Sequence, residues 1–261
     1  MTRIGCMFQK NRKALIAYLT AGDPTPARTP ALVDALVRGG ADLIELGVPF
    51  SDPIADGPVI QRAGERALKA GATLQTVLEI ARQIRSRSEV PILLFTYLNP
   101  VLRYGLDRLG ADAAAAGIDG CLLTDASVEE AESYVAAMHR HGLDTVFMAT
   151  PTSTERRLKL VARYSTGFVY LVSRTGVTGE QDSISAAVSP LIQSMRAVTH
   201  LPLALGFGIH TPEQVSALAP QVDAVVVGTA IVRIIERNSP TLESDLEQYA
   251  RSLKSALGAR S

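Results

Sequence analysis

The chain has 261 residues, of which 47% are hydrophobic and 20% are charged, a composition typical of a globular protein and not of a disordered one. Its 26 Lys and Arg residues balance its 26 Asp and Glu residues, so it lacks the basic excess that nucleic-acid binding requires. No apolar run reaches the ~18 residues that span a bilayer, the N-terminus has no apolar signal core, and two cysteines do not make a disulfide framework. These features predict a soluble cytoplasmic protein that acts on a small molecule.

Short apolar runs alternate along the chain with amphipathic helical segments. The runs are continuously apolar, as expected of parallel strands that are covered on both faces. The eight predicted strands are 14–20, 41–48, 91–98, 118–125, 143–150, 167–173, 201–207 and 222–229. Segments 26–40, 127–142 and 211–220 are predicted to be helices between them, because several begin after Ser or Thr and many end at Gly or Pro.

Three junctions between a predicted helix and a strand are alike. They read GGADLIELG (39–47), AGIDGCLLTD (116–125) and PQVDAVVVGT (220–229), each with a turn residue, an aspartate and an apolar run. Such repetition indicates a repeated βα unit, and eight units in about 250 residues predict a (β/α)8 TIM barrel. We therefore expect an α/β protein with one TIM-barrel domain over residues 1–261. A doubly wound open sheet is the alternative, but no GxGxxG turn follows the first strand.

Carboxylates lie within and after the second predicted strand. The active site of a TIM barrel is found at the C-terminal ends of its strands. Glu45 stands in an otherwise apolar run and shares a strand face with Leu43, so we expect it to project into the barrel mouth. Burial would raise its pKa toward a general acid/base role. The alternative is an outward Glu45 paired with an arginine of a helix. In the proline-rich segment that follows, Asp52 and Asp56 are predicted to lie over the mouth, or else simply to cap a turn or a helix.

Glycine turns after the seventh and eighth predicted strands are typical of a phosphate site in this fold. Gly206-Phe207-Gly208 ends the seventh strand, and Gly228-Thr229 ends the eighth just before a short helix. Glycines let backbone N–H groups approach an anion, and a helix N-terminus favours negative charge. Residues 173–185 form a long polar segment that we interpret as a lid or as a plain surface connection.

The residue types missing from the strand ends limit the mechanism. None of the five lysines ends a predicted strand, which argues against a Schiff base. The four histidines do not cluster with acids at metal-ligand spacing, and no GxSxG elbow occurs. The sequence thus predicts acid/base chemistry on a phosphorylated small molecule, without a metal.

Six segments carry a family resemblance. They are YLTAGDP (18–24), LIELGVPFSDPIADGPVIQ (43–61), YLNPVLRYG (97–105), GFVYLVSRTGVTG (167–179), GFGI (206–209) and GTAIVRIIE (228–236). In this order they resemble the tryptophan synthase alpha subunit family, and the block from Leu43 to Gly57 is the most specific of them. The resemblance implies a TIM-barrel lyase of tryptophan biosynthesis that cleaves indole-3-glycerol phosphate to indole and glyceraldehyde 3-phosphate. It also implies an alpha2-beta2 heterotetramer with a beta subunit, which holds pyridoxal phosphate, and no cofactor in this chain.

The resemblance also implies roles for individual residues. The catalytic pair would be Glu45 and Asp56. Tyr170 is matched to a tyrosine near the catalytic glutamate, and Thr178 to the lid threonine. Residues matched to the indole or glycerol portion of the substrate are Tyr18, Tyr97, Leu122 and Phe207. Those matched to the phosphate, largely through backbone N–H groups, are Gly179, Gly208, Gly228 and Thr229. Asp52 and Pro49 are matched to the loop that faces the beta subunit.

Two departures from the family pattern bear on these expectations. Thr124-Asp125-Ala126-Ser127 stands where the family has a proline-containing stretch that meets the partner, and Thr229 replaces a usual serine while keeping the hydroxyl. A stand-alone lyase that releases free indole is therefore one alternative. A non-catalytic activator of a beta subunit is another, and Glu45 and Asp56 argue against it.

Overall fold

The computed structural model describes residues 2–10, 13–172, 181–206 and 208–258, without the side chains of residues 181–187. Within these ranges the strands are β1 (Ala14–Thr20), β2 (Leu43–Gly47), β3 (Ile92–Thr96), β4 (Gly120–Leu123), β5 (Asp144–Val146), β6 (Met148–Ala149), β7 (Val169–Val172), β8 (Leu203–Gly206) and β9 (Ala224–Val227). The helices are α1 (Arg3–Lys10), α2 (Thr29–Arg38), α3 (Pro58–Lys69), α4 (Leu74–Arg85), α5 (Leu98–Tyr104), α6 (Leu106–Ala115), α7 (Glu132–Arg140), α8 (Glu155–Tyr164), α9 (Gln181–Arg196), α10 (Pro212–Leu218), α11 (Thr229–Arg237) and α12 (Leu242–Gly258).

The strands form one parallel sheet that closes on itself. Its order is β5-β4-β3-β2-β1-β9-β8-β7-β6, so β5 and β6 stand at its two ends. Only Phe147 separates β5 from β6, and its carbonyl accepts a hydrogen bond from the Tyr170 N–H of β7 at 3.1 Å. The predicted strand 143–150 is therefore one barrel position with an interruption at Phe147. The (β/α)8 TIM barrel predicted from the spacing of apolar runs is confirmed.

Alternating strand residues face two different apolar environments. Leu43, Leu93 and Leu122 belong to the cluster inside the barrel, whereas Ile44 and Leu46 pack between the sheet and the surrounding helices. Both faces are buried, which explains why the strands read as continuous apolar runs. It also means that any ionisable residue on an inward position is enclosed by apolar side chains.

Helix α1 closes the N-terminal end of the barrel and was not predicted. Ile4 and Met7 pack on the interior cluster, and the Phe8 ring lies 5.7 Å from that of Phe168. The three residues have the i, i+3, i+4 spacing of one helical face, a signal that eight residues leave weak. The strand ends opposite α1 are therefore the open end of the barrel.

The repeated junction aspartates have a shared structural role. Asp42, Asp119 and Asp223 each accept a hydrogen bond from the backbone N–H of a neighbouring strand or of the residue that starts it, and each pairs with a cation. The amide donors are Leu15, Ile92 and Leu203, at 2.7, 2.8 and 2.8 Å, and the cations are Lys254, Arg85 and Arg196 respectively. The sequence repeat thus marks an aspartate that fastens adjacent strands at the N-terminal end.

Several predicted boundaries need correction. The segment 26–40 begins with a 3-10 turn, Pro26–Arg28, ahead of α2, and the segment 127–142 is divided in the same way at Ala131. The predicted loop 173–185 is wrong at its end because α9 begins at Gln181; its first part, 173–180, lies outside the described residues. No helix within the described ranges is long and apolar enough to cross a membrane.

Candidate active site

Glu45 lies inside the barrel on β2, between Tyr18 of β1 and Leu93 of β3 in the strand register. Its side chain is buried, with 1% of the residue exposed, and its Oε1 has no hydrogen-bond partner among the described residues. Burial raises the pKa of Glu45 from 4.5 to about 8. The outward orientation with a helix arginine is thereby excluded. At neutral pH Glu45 is a proton donor in an apolar setting.

Two buried tyrosines border the same interior. Tyr18 contacts the Phe95 ring edge-on at 5.2 Å, and Tyr170 of β7 belongs to the interior cluster. Burial raises the pKa of both hydroxyls, and the negative charge of Glu45 raises it further; for Tyr18, Asp56 adds to the effect. Both tyrosines therefore stay neutral and keep their O–H groups as hydrogen-bond donors.

Each of these tyrosines lies across a glycine of the neighbouring strand. A Cβ on Gly47 of β2 would overlap the hydroxyl of Tyr18, and a Cβ on Gly206 of β8 would overlap the hydroxyl of Tyr170. Gly206 was predicted only as part of a phosphate turn, and Gly47 was not singled out at all. Nothing in the sequence marks either pair, because each joins residues on different strands.

Asp56 lies beside Tyr97, which directly follows β3. The buried Tyr97 hydroxyl accepts a hydrogen bond from the N–H of Ala55, the residue before Asp56, at 3.1 Å, and the Tyr97 ring packs 5.2 Å from that of Phe50. Burial raises the pKa of Asp56, and hydrogen bonding to the Tyr97 hydroxyl opposes that rise. The loop that carries this second carboxyl is thus attached to a residue of the next βα unit.

Leu122, also matched to the indole or glycerol portion, forms part of the apolar wall. Leu122 lies on β4 in register with Phe95 and Val146 and is fully buried in the interior cluster. The barrel interior is therefore lined by one acid (Glu45), two phenols (Tyr18 and Tyr170) and aliphatic side chains such as that of Leu122. That set can bind an aromatic ring and transfer a proton to it. Within the described ranges, no group of three or more His, Cys, Asp or Glu residues is arranged to hold a metal ion.

Three of the four predicted phosphate residues lie at the C-terminal ends of β8 and β9. Gly208 is exposed and has a φ of +76°, a conformation that favours glycine. Gly228 is the N-cap of α11, and the exposed Thr229 is its first residue. Exposed N–H groups at a helix N-terminus suit an anion. Thr178, Gly179 and Phe207 lie outside the described residues.

The loop after β2 presents one of the two predicted partner-facing residues to solvent. Asp52 is exposed, whereas Pro49 is buried. Two residues after Asp52, the large apolar side chain of Ile54 is 83% exposed. The sequence pattern did not single out Ile54.

The segment that departs from the family pattern has an anchor of its own. The Asp125 carboxylate accepts a hydrogen bond from the Leu98 N–H at 2.7 Å, at the start of α5. The Thr124 N–H donates to the Thr96 carbonyl at 2.9 Å. The loop after β4 is therefore joined by hydrogen bonds to the end of β3 and the start of α5, on either side of Tyr97.

Comparison with known proteins identifies the family. The family model described as "Tryptophan synthase alpha chain" matches residues 6–258. A relative of the same name from Solibacter usitatus is 77% identical over 266 residues, which covers all of both chains. Another, from Geobacter sulfurreducens, is 48% identical over 263 residues and covers 99% of this chain and 100% of the relative. The crystal structure of tryptophan synthase subunit alpha from Legionella pneumophila is 37% identical, covers 98% of each chain and superposes with a TM-score of 0.91. The chain therefore belongs to the tryptophan synthase alpha chain family.

Proposed function

We propose that this chain, a lyase subunit of tryptophan biosynthesis, cleaves indole-3-glycerol phosphate by a metal-free retro-aldol reaction in which Glu45 transfers the protons. The products are indole and glyceraldehyde 3-phosphate. The proposal assigns the aromatic ring to the barrel interior and the phosphate to the glycine turns. It needs no cofactor in this chain; pyridoxal phosphate belongs to the beta subunit of the proposed complex.

The first step uses the neutral form of Glu45. With a pKa of about 8, its carboxyl is protonated at neutral pH and donates the proton to C3 of the indole ring. The ring then carries a positive charge at N1 and can accept the electron pair of the bond from C3 to the glycerol chain. A Schiff base is unnecessary because the protonated ring is itself the electron sink.

The second step uses the carboxylate that the first step leaves. Glu45 accepts the proton of the glycerol hydroxyl next to the breaking bond, the oxygen forms the aldehyde carbonyl, and the bonding pair returns to the ring to give indole. Asp56 accepts a hydrogen bond from the indole N–H and stabilises the charge that develops there. Tyr97 supports this role because its hydroxyl lowers the pKa of Asp56 and so favours the carboxylate form.

The phosphate is proposed to bind at Gly208, Gly228 and Thr229, with Gly179 beyond the described residues. The supporting observations are the positive φ of Gly208 and the start of α11 at Thr229. Tyr18, Tyr170 and Leu122 would then enclose the substrate between phosphate and acid.

One observation carries the proposal most strongly: the buried carboxyl of Glu45 in the barrel interior, whose Oε1 has no hydrogen-bond partner among the described residues. The test is indole release from indole-3-glycerol phosphate by the parent chain and by Glu45→Gln. We expect cleavage to fall by about 10²–10⁴-fold or more, because the amide cannot transfer the proton. An unchanged circular dichroism spectrum would show that the fold persists. Near-normal turnover of the folded variant would refute the assignment.

We further propose a beta subunit as the partner, bound at the C-terminal end of the barrel. Ile54 and Leu102, 83% and 56% exposed, follow β2 and β3 at this end. Leu102 also lines a small apolar groove of about 130 Å³ next to Ala126 and Ser127. The bond from Leu98 to Asp125 supports a loop that is ordered without a proline. The missing proline keeps the stand-alone lyase as the second candidate.

A further inference from the structure

The loop after β8 is held by a histidine that the proposed reaction does not use. His210 lies two residues after Gly208, and its Nδ1 is 2.7 Å from the Gly208 carbonyl oxygen. A carbonyl oxygen only accepts hydrogen bonds, so Nδ1 must carry the proton in this arrangement. The imidazole therefore donates to the backbone of the glycine that precedes it.

The main chain of His210 is fixed from two other elements. Its N–H donates to the Gln214 side chain of α10 at 2.9 Å, and its carbonyl accepts a hydrogen bond from the Tyr249 hydroxyl of α12 at 2.8 Å. Thr211 and Gln214 complete a capping box at the start of α10. The imidazole thus extends toward Gly208 from an anchored base.

Gly208 is the position that needs such a restraint. Glycine has no side chain and therefore more conformational freedom than any other residue type. Gly208 uses that freedom to adopt a φ of +76°. The peptide group that follows it is planar and trans, so fixing the Gly208 carbonyl also fixes the direction of the Ile209 N–H. A loop whose amides are already oriented binds an anion without the entropy cost of ordering them.

We propose that His210 is a positioning residue for the phosphate: its Nδ1–H holds the Gly208 carbonyl and pre-orients the backbone amides of the loop after β8 toward the substrate's phosphate group. This inference rests on the proposed phosphate site at Gly208. His210 acts through the glycine backbone and touches no reacting atom. Its loss should therefore weaken binding of the phosphate end and leave the chemical step in place.

The test compares four forms of the full chain: the parent, His210→Leu, His210→Asn and His200→Leu. Leucine removes the donor, whereas asparagine keeps an N–H donor near the place of Nδ1. His200 is an exposed histidine in the segment after α9, so His200→Leu is a matched control. The measured quantities are kcat and KM for cleavage, and the inhibition constant of glycerol 3-phosphate.

We expect His210→Leu to raise KM and the inhibition constant together by about 2–10-fold, the effect of one net hydrogen bond, with kcat changed less than about twofold. His210→Asn should recover most of the affinity, and His200→Leu should match the parent. If kcat falls while KM and the inhibition constant stay unchanged, or if asparagine behaves like leucine, His210 does not position the phosphate loop.

The amide resonance of Gly208 separates this inference from the phosphate site on which it rests. In the parent, titration with glycerol 3-phosphate should shift that resonance, and His210→Leu should require a higher concentration for the same shift. A shift with the same midpoint in both forms would overturn the role of His210 alone. No shift in the parent at saturating ligand would overturn the phosphate site itself and the inference with it.

Discussion

The buried carboxyl of Glu45 makes the stability of the barrel depend on pH. The pKa of Glu45 rises from 4.5 in the unfolded chain to about 8 in the folded chain. Between these two pH values the folded chain therefore keeps a proton on Glu45 that the unfolded chain has lost. The stability contributed by the neutral carboxyl is therefore full below about pH 4.5 and is lost as the pH rises toward 8. We expect the Tm of Glu45→Gln, relative to the parent, to increase between pH 5 and pH 8. Parallel Tm curves in thermal unfolding would contradict the raised pKa.

Tyr97 is expected to set the acidic side of the activity profile. Its hydrogen bond lowers the pKa of Asp56 against the opposing effect of burial. Tyr97→Phe removes that bond, so Asp56 should need a higher pH to ionise, and the acidic limb of kcat/KM should move to higher pH. Tyr104→Phe is the matched control because Tyr104 bonds to Asp112 on the outer helices. An acidic limb unchanged in Tyr97→Phe would show that Asp56 does not ionise in this range.

The sequence revealed a single functional residue where its type differed from that of its neighbours along the chain. Glu45 was visible because an acid interrupts an apolar run, and strand alternation correctly placed it on the inward face with Leu43. The interaction of Tyr97 with Asp56 was not visible, since the two residues are 41 positions apart in the sequence. The position of Tyr18 over Gly47 likewise exists only after β1 and β2 pair.

At the scale of elements, the aspartates that open β2, β4 and β9 link the strands to the outer helices. The sequence repeat exposed their recurrence, but their bonds to neighbouring strands required the barrel register. Asp119 is the most enclosed of the three: its side chain is 4% exposed and that of Arg85 is 13% exposed, against 31% for Asp223 and 39% for Arg196. The same motif should therefore contribute unequally to stability.

This inequality gives a prediction for two matched variants. Asp119→Ala leaves the Arg85 guanidinium and the Ile92 N–H without their buried acceptor, which should lower the free energy of unfolding by about 3–5 kcal/mol. Asp223→Ala removes a more exposed partner and should cost about 1–2 kcal/mol. Urea denaturation of the two variants measures the difference. Equal losses would mean that burial does not decide the strength of these links.

At the scale of the whole molecule, the two ends of the barrel have separate tasks. The N-terminal end holds α1 and the aspartate links, whereas those candidate catalytic and phosphate residues that the structure describes lie inside the barrel or at its C-terminal end, as in other TIM barrels. The closed barrel followed from the number of apolar runs, eight in about 250 residues. The interruption of the fifth strand at Phe147 did not, because Val146-Phe147-Met148 is as apolar as its neighbours.

The C-terminal end also gives the last prediction, that this chain binds and is stimulated by a beta subunit. Indole is apolar and crosses membranes, so a partner that receives it directly prevents its loss. Leu102→Asp places a charge beside the apolar groove and should reduce co-elution with the beta chain from the same source, together with the stimulation of indole release. Leu68→Asp is the matched control, since Leu68 is 38% exposed at the C-terminal end of α3 and does not line this groove. If the parent chain itself fails to co-elute and shows high unstimulated turnover, it is a stand-alone lyase.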